Sequence, residues 1–286
     1  MPSLRDLRRR IRSVTNTQKI TKAMELVAAA KMRRAQERVL ATRPYSDEIA
    51  SIMSELMKRS PEYQHPYLQV RDVKRRVIIL VTADRGLAGA LNSNNTRLAL
   101  RATNELQVPT AFVTIGRRGR DVIRRVRRDL IADRSNLGDR PHMRDVLPAA
   151  RVAMEAYENE AADQVDIVFA RFISVGRQQA TLRRVLPVEP PGEEETHKLA
   201  ADFEYEPDAK DVLDALLPRY VEAEVYRAVL ENSASEQAAR MIAMRNASDN
   251  ASDLIGDLTL TANKVRQATI TTELMEIVSG VAALEG

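Results

Sequence analysis

Cysteine and tryptophan are both absent from this chain of 286 residues. Without cysteine there is no disulfide framework, no thiolate-ligated metal and no thiol switch, a pattern that fits a reducing compartment. Aromatic residues make up only 4% of the sequence, which is poor for a β-sandwich and common in helical and coiled-coil chains. No apolar run reaches the ~18 residues of a membrane span, and the N-terminus enters basic helical sequence at once, so the chain reads as neither secreted nor membrane-spanning. Histidine is scarce as well: His65, His142 and His197 stand apart from one another and from any zinc-binding spacing. No Ser/His/Asp set has local support, and Glu193, Glu194 and Glu195 read as a hydrated loop. Catalytic residues, metal ligands and cofactors are therefore all expected to be none.

What is present is a hydrophobic share of 44% and a charged share of 29%, enough for a core and suited to long helices. Net charge is +4, but its layout is uneven: residues 1–60 carry fourteen Lys/Arg against six Asp/Glu, and residues 207–286 carry seven against thirteen. The two ends are electrostatic complements.

Ser3 followed by Asp6 has the form of a helix start with a capping box. Leu4, Leu7, Ile11 and Val14 then recur at coiled-coil intervals. The row falters at Asn16, Thr17, Gln18, Lys19, Thr21 and Lys22, a polar belt around Ile20, and Pro44 is expected to kink or divide the helix. A second long helix is expected from near Pro207-Asp208, perturbed at Pro218, and then uninterrupted for roughly 100 Å at ~1.5 Å per residue. A domain of 100 residues has a radius of gyration of only ~13 Å, so much of such a helix cannot be buried within one. Ile270, Leu274, Ile277, Val281 and Leu284 again have coiled-coil spacing, which predicts a second seam.

Between these helices the character changes. Val77 to Thr82, Ala111 to Ile115 and Val165 to Phe169 read as buried strands, separated by helical segments near 94–106, 117–127 and 144–162; Thr181 to Val188 adds a further strand. The alternation predicts a mostly parallel sheet with crossover helices. The expected fold is α/β: a long antiparallel coiled coil of N- and C-terminal helices with an inserted Rossmann-like domain. Its divisions are 1–60, 61–207 and 208–286, with Pro187 to Glu206 as an exposed connection.

Three features invite a chemical reading. Asp84-Arg85-Gly86-Leu87-Ala88-Gly89 follows the first strand, where α/β folds often bind phosphate, but it lacks the Walker and Gly-x-Gly-x-x-Gly orders, so a structural turn is favoured. Arg117, Arg118, Arg120, Arg124, Arg125, Arg127 and Arg128 form a basic patch. It suits nucleic acid or an acidic protein partner, and the lack of interleaved aromatics weakens single-strand stacking. The polar belt and the group Arg266 to Glu273 suit either a solvated helix face or a helix end enclosed by a partner.

Four ordered blocks carry a resemblance. They are Arg10 to Met24 with Val27 to Lys31; Asp84-Arg85-Gly86-Leu87 with Gly89 and Asn92; Ser235 to Met241 through Asn250-Ala251; and Arg266-Gln267-Ala268 with Ile270 to Glu273, Glu276 and Gly280. Across essentially its whole length the sequence resembles the gamma subunit of the bacterial F-type ATP synthase. Val281, Ala88, Ala83 and Ala90 depart from the family's usual residues, and the cysteine-bearing regulatory insertion of the chloroplast form is missing. The resemblance implies a non-catalytic central-stalk rotor that couples rotation of the membrane c-ring to ATP synthesis or hydrolysis. Implied partners are the alpha and beta subunits of the catalytic hexamer, the epsilon subunit and the c-ring, with no nucleic acid. The implied place is peripheral, on the cytoplasmic face of the bacterial inner membrane. Met24, Arg240, Arg266, Gln267, Thr271 and Glu273 are the implied contacts with the hexamer, and Phe203, Tyr205 and Glu206 lie near the ring. A basic nucleic-acid-binding α/β module with helical arms is the alternative.

Overall fold

The computed structural model describes residues 3–59, 65–189 and 209–285. Phe203, Tyr205, Glu206, His197, the acidic run at 193–195 and most of the expected connection lie outside them. The chain order is α1 (Leu4–Arg59), a short 3-10 turn (Pro66–Leu68), β1 (Arg76–Val81), α2 (Leu91–Leu106), β2 (Thr110–Ile115), α3 (Arg117–Arg125), β3 (Leu130–Arg134), α4 (Met143–Glu158), β4 (Gln164–Ser174), β5 (Arg177–Leu186) and α5 (Ala209–Glu285). Two compact units result. One comprises residues 1–27 and 241–286, the other residues 28–240, and α1 and α5 contribute to both.

Neither proline divides its helix. Pro44 lies inside a continuous α1 and Pro218 inside a continuous α5. A proline in a helix interior costs ~3 kcal/mol, and packing on both sides outweighs it: Val39 and Ile49 flank Pro44, and Leu217 and Val221 flank Pro218, all buried. The capping box at the start of α1 forms, with the Asp6 amide donating to Ser3 Oγ and the Ser3 hydroxyl donating to Asp6 Oδ2.

In the α/β unit the sheet order is β3-β2-β1-β4-β5, parallel except for β5, which pairs antiparallel with β4 as a hairpin. β1 is buried along its whole length, as its β-branched run requires. α2 and α3 help cover one core of the sheet, around Ile78, Leu80, Phe112 and Ile123. α4 joins a second core with Ile49 and Met53 of α1 and Leu217, Val221, Val225 and Val229 of α5. Ala35 and Val39 of α1 meet Leu230 and Ala234 of α5, so the two helices run antiparallel here.

α5 is also tied to the sheet by buried hydrogen bonds. Asn232 Oδ1 accepts from the Ala170 amide and from Asn95 Nδ2, which also donates to the Val81 carbonyl, while the Ser235 hydroxyl donates to the Ala170 carbonyl. These bonds fix the rotation of α5 about its axis in a way that apolar packing alone would not.

In the other unit, α1 and α5 form a two-helix coiled coil. Along α1 the inward row is Leu4, Leu7, Ile11, Val14, Gln18, Thr21 and Glu25; along α5 it is Met241, Met244, Ser248, Ala251, Ile255, Leu258, Ala262 and Val265. Both rows alternate steps of three and four, the period of a left-handed supercoil. The Gln18 side chain donates to Ser252 Oγ and Arg245 Nε to Glu25 Oε1, so this pairing too is antiparallel. Among the described residues of the expected second seam, Ile270, Leu274 and Ile277 are 48%, 57% and 62% exposed and not packed in a seam; the side chains of Val281 and Leu284 lie outside the described set. Extending the register of the two hydrogen bonds brings Leu4, the first residue of α1, level with Arg266.

Candidate functional site

The polar belt of α1 is a seam with polar contents. Gln18, Thr21 and Glu25 continue the inward row, while apolar Ile20, Leu26 and Val27 point outward at 60%, 62% and 53% exposure. Glu25 is the chemical centre of this stretch. Its side chain is 7% exposed and takes Lys22 Nζ at 3.0 Å on one oxygen and Arg245 Nε at 3.0 Å on the other. Hydrogen bonds from Lys22 and then Arg245 hold its carboxyl below the ordinary glutamate range, and the two-helix interface is too thin for desolvation to reverse this. The bulk charge of the two ends predicted a basic α1 attracted to an acidic α5. This ion pair runs the opposite way, acid on α1 and base on α5. Met24 is half-buried beside this layer.

Further along α5, Arg266, Gln267, Thr271 and Glu273 are all exposed, as are Ile270, Leu274, Met275, Ile277 and Val278. The Thr271 hydroxyl donates back to the Gln267 carbonyl, and Thr269 and Thr272 do the same to Val265 and Ala268. The helix thus absorbs its own hydroxyls and presents methyl groups beside charged heads, a mixed surface on a single slim helix.

Within the α/β unit the loop after β1 is an anchor point. Asp84 Oδ1 accepts the Arg117 amide at 2.9 Å, and Asp84 Oδ2 accepts the Leu137 amide at 3.2 Å. The first of these amides opens α3, where orphan N–H groups and the helix dipole would otherwise attract an anion. Gly116 precedes it at φ +106°, and a Cβ there would lie 2.1 Å from the Thr82 carbonyl oxygen. Thr82 Oγ1 accepts the Gly119 amide at 2.8 Å. The start of α3, after β2, is thus capped by a carboxylate from the loop after β1, so Asp84 is a structural tie between the two loops.

Arg240 is not a free surface residue. It is 11% exposed, its Nη2 lies 2.6 Å from Glu236 Oε1, and the same atom donates to the Gly86 carbonyl at 3.3 Å. It therefore bolts α5 to the loop that follows β1. Burial pushes the Glu236 carboxyl up, with Asp84 and Asp139 adding to the shift, and Arg240 opposes it. Asp139 is held down by the Lys31 ammonium at 2.7 Å.

The basic patch is only partly neutralised: Arg120 and Arg124 pair with Asp133 at 3.6 and 3.2 Å. Among the described residues no group of His, Cys, Asp and Glu could hold a metal ion, and no helix is long and apolar enough to cross a membrane. His65 and His142 have structural places. His65 Nδ1 accepts the Tyr67 amide, and His142 is the N-cap of α4. The sequence pattern missed Glu25, Asn95, Asn232 and Glu236. Each is a polar residue in an apolar row, a signal that is visible only once the row's phase is extended through it.

Residues 3–284 match the family model described as ATP synthase. An ATP synthase gamma chain from Herpetosiphon aurantiacus is 51% identical over 295 aligned positions, covering 99% of each chain. A chain in the cryo-EM structure of the central stalk and c-ring of the Tetrahymena thermophila mitochondrial ATP synthase is 25% identical, with a TM-score of 0.62 over 80% of this chain and 99% of that one. The same fold, with a TM-score of 0.66 and 22% identity over 98% of this chain and 94% of that one, occurs in the Euglena gracilis mitochondrial ATP synthase structure of OSCP, F1 and c-ring. A resemblance carried by four blocks of sequence thus extends over the full length and over the fold, and the chain belongs to the gamma chains of the F-type ATP synthase.

Proposed function

We propose that this chain is the torque-bearing shaft of a bacterial ATP synthase, coupling rotation of an ion-driven c-ring to the catalytic sites on beta subunits. The chain itself is non-catalytic, and chemistry belongs to the assembly. The observation that carries this reading is α5 beyond Val265, where the described residues are exposed and alternate apolar with polar, with no described part of α1 beside them. A surface of that kind suits a close-fitting sleeve formed by the alpha and beta subunits, with Arg266, Gln267, Thr271 and Glu273 as directional contacts and Ile270, Leu274 and Ile277 as the apolar bearing. Met24, beside the outward Ile20, Leu26 and Val27, belongs to the same contact set. Arg240 is already bound, so its part is to hold the loop at Gly86 in place.

In this reading the segment 61–207 is the foot that meets epsilon and the c-ring, with Phe203, Tyr205 and Glu206 on the ring side. The complex sits peripherally at the cytoplasmic face of the inner membrane, and nucleic acid is not a partner. The direct test is ion pumping per ATP hydrolysed in membranes reconstituted with the Leu274→Asp/Ile277→Asp chain. Pumping or assembly is expected to fall while the purified chain keeps its helix content. Unchanged pumping with full assembly would overturn the reading.

A further inference from the structure

We propose that the groove between α2 and α3 is a docking site for an acidic amphipathic helix of a partner protein. The groove has a volume of about 660 Å3 and its lining includes Arg97, Arg101 and Arg118 together with Leu100 and Val122, and no aspartate or glutamate. Among the described residues no ion pair engages any of these three arginines, whereas Arg120 and Arg124 of the same α3 are matched to Asp133. Positive charge has thus been left unpaired in one concave place. Arg118 is set in position, since its guanidinium lies close over Gly86, where an added Cβ would come within 2.7 Å of Nη2.

The occupant follows from spacing and chemistry. Arg97 and Arg101 are one helical turn apart, a rise of ~6 Å along α2. Two carboxylates at positions i and i+4 of another helix have the same rise, and guanidinium groups bind carboxylates in two-point fashion. Leu100 and Val122, also in the lining, are half-buried and would receive apolar side chains from the same face of that helix. A phosphodiester backbone would satisfy the arginines but leave Leu100 and Val122 uncovered, and no aromatic residue lines the groove to stack on a base. An acidic helix with an apolar stripe satisfies both parts.

The test uses the full-length chain and a fluorescent helical peptide of about five turns, bearing two glutamates four residues apart beside two leucines. A control peptide of the same composition carries the glutamates on opposite faces. The first peptide is expected to bind saturably and to lose at least tenfold in affinity for the Arg97→Ala/Arg101→Ala chain, while Arg124→Ala/Arg125→Ala, outside the groove, changes affinity less than twofold. Equal binding of the control peptide, or an equal loss with the Arg124/Arg125 variant, would reduce the effect to general electrostatics and overturn the proposal. Absence of peptide binding at low salt would overturn it, and so would tighter binding of a mixed-sequence DNA duplex than of the peptide. Unchanged thermal unfolding of both variants shows that any loss is not a folding defect.

Discussion

Two substitutions at Glu25 separate effects that act in opposite directions. Glu25→Gln keeps the shape and removes the charge. Lys22 and Arg245 are 59% and 57% exposed, so both cations return to water and no charge is stranded. The Lys22 pair, three residues away on one helix, is worth ~0.3–0.5 kcal/mol, and the Arg245 pair no more than ~1 kcal/mol. The expected loss is about 1 kcal/mol, which makes local opening about fivefold more frequent. Glu25→Leu forgoes the same pairs but places an apolar side chain near the buried Met241 and Met244. Burying a leucine contributes ~1.5–3 kcal/mol, so the apolar term wins and a net gain of about 1 kcal/mol is expected. Hydrogen exchange of peptides covering Val14 to Ala30 and Met241 to Leu258, read by mass spectrometry at pH 7, measures both signs. The pH dependence is a second check. Glu25 titrates below its ordinary value, so its contribution is present above the unfolded-state range of ~4.3 and is lost as pH falls through the lower folded value. Wild type and Glu25→Gln should therefore differ at neutral pH and converge in acid. A destabilising Glu25→Leu, or a Glu25→Gln difference that persists in acid, would refute this account of the seam.

Three further sets of outcomes are expected. Arg240→Ala leaves Glu236 buried without its cation; the carboxyl should titrate higher still, local stability should fall by roughly 1.5–3 kcal/mol, and an unchanged Glu236 titration by NMR would contradict the pairing. Gly116→Ala forces a Cβ against the Thr82 carbonyl in left-handed backbone and should cost more than about 2 kcal/mol in urea unfolding, whereas Gly138→Ala, whose Cβ would meet nothing within 4 Å, should cost only the left-handed strain of about 1 kcal/mol. Asp166→Ala strands the buried Arg76, which is paired with it at 3% exposure, and should cost ~3–5 kcal/mol in the same assay, while Leu274→Asp in the isolated chain should stay within ~0.5 kcal/mol of wild type.

Much of the fold was legible because burial wrote it in hydropathy. β1 and the buried stretches of β2 and β4 are apolar, largely β-branched runs covered on both faces, and the crossover helices follow from their spacing. β3 left no such mark: Leu130 to Arg134 is a short edge strand with two charged residues and little burial. The α1 seam was read through Val14 and then lost, because Gln18, Thr21 and Glu25 hold the period without holding the polarity. The row from Ile270 onward failed in the opposite way. Period tells which face of a helix is apolar but not whether another helix lies beside it, and that depended on where α1 begins. Division of α1 at Pro44 did not occur, because a local cost of ~3 kcal/mol is outweighed by the packing on either side. Of the expected contact residues, Arg266, Gln267, Thr271 and Glu273 are outward-facing, Met24 is half-buried, and Arg240 is spoken for within the chain. Only three-dimensional proximity could disclose Arg240's bond to Gly86.

Asp84 has a consequence for how this end of the sheet can move. A helix N-terminus left to water is held only by bonds that exchange freely with the solvent. Here the anion is permanent and covalently attached, satisfying the amides of Arg117 and Leu137 from within. The loop after β1, the start of α3 and the loop after β3 are thereby tied at one carboxylate, so none of the three can shift without breaking a hydrogen bond or carrying the others with it.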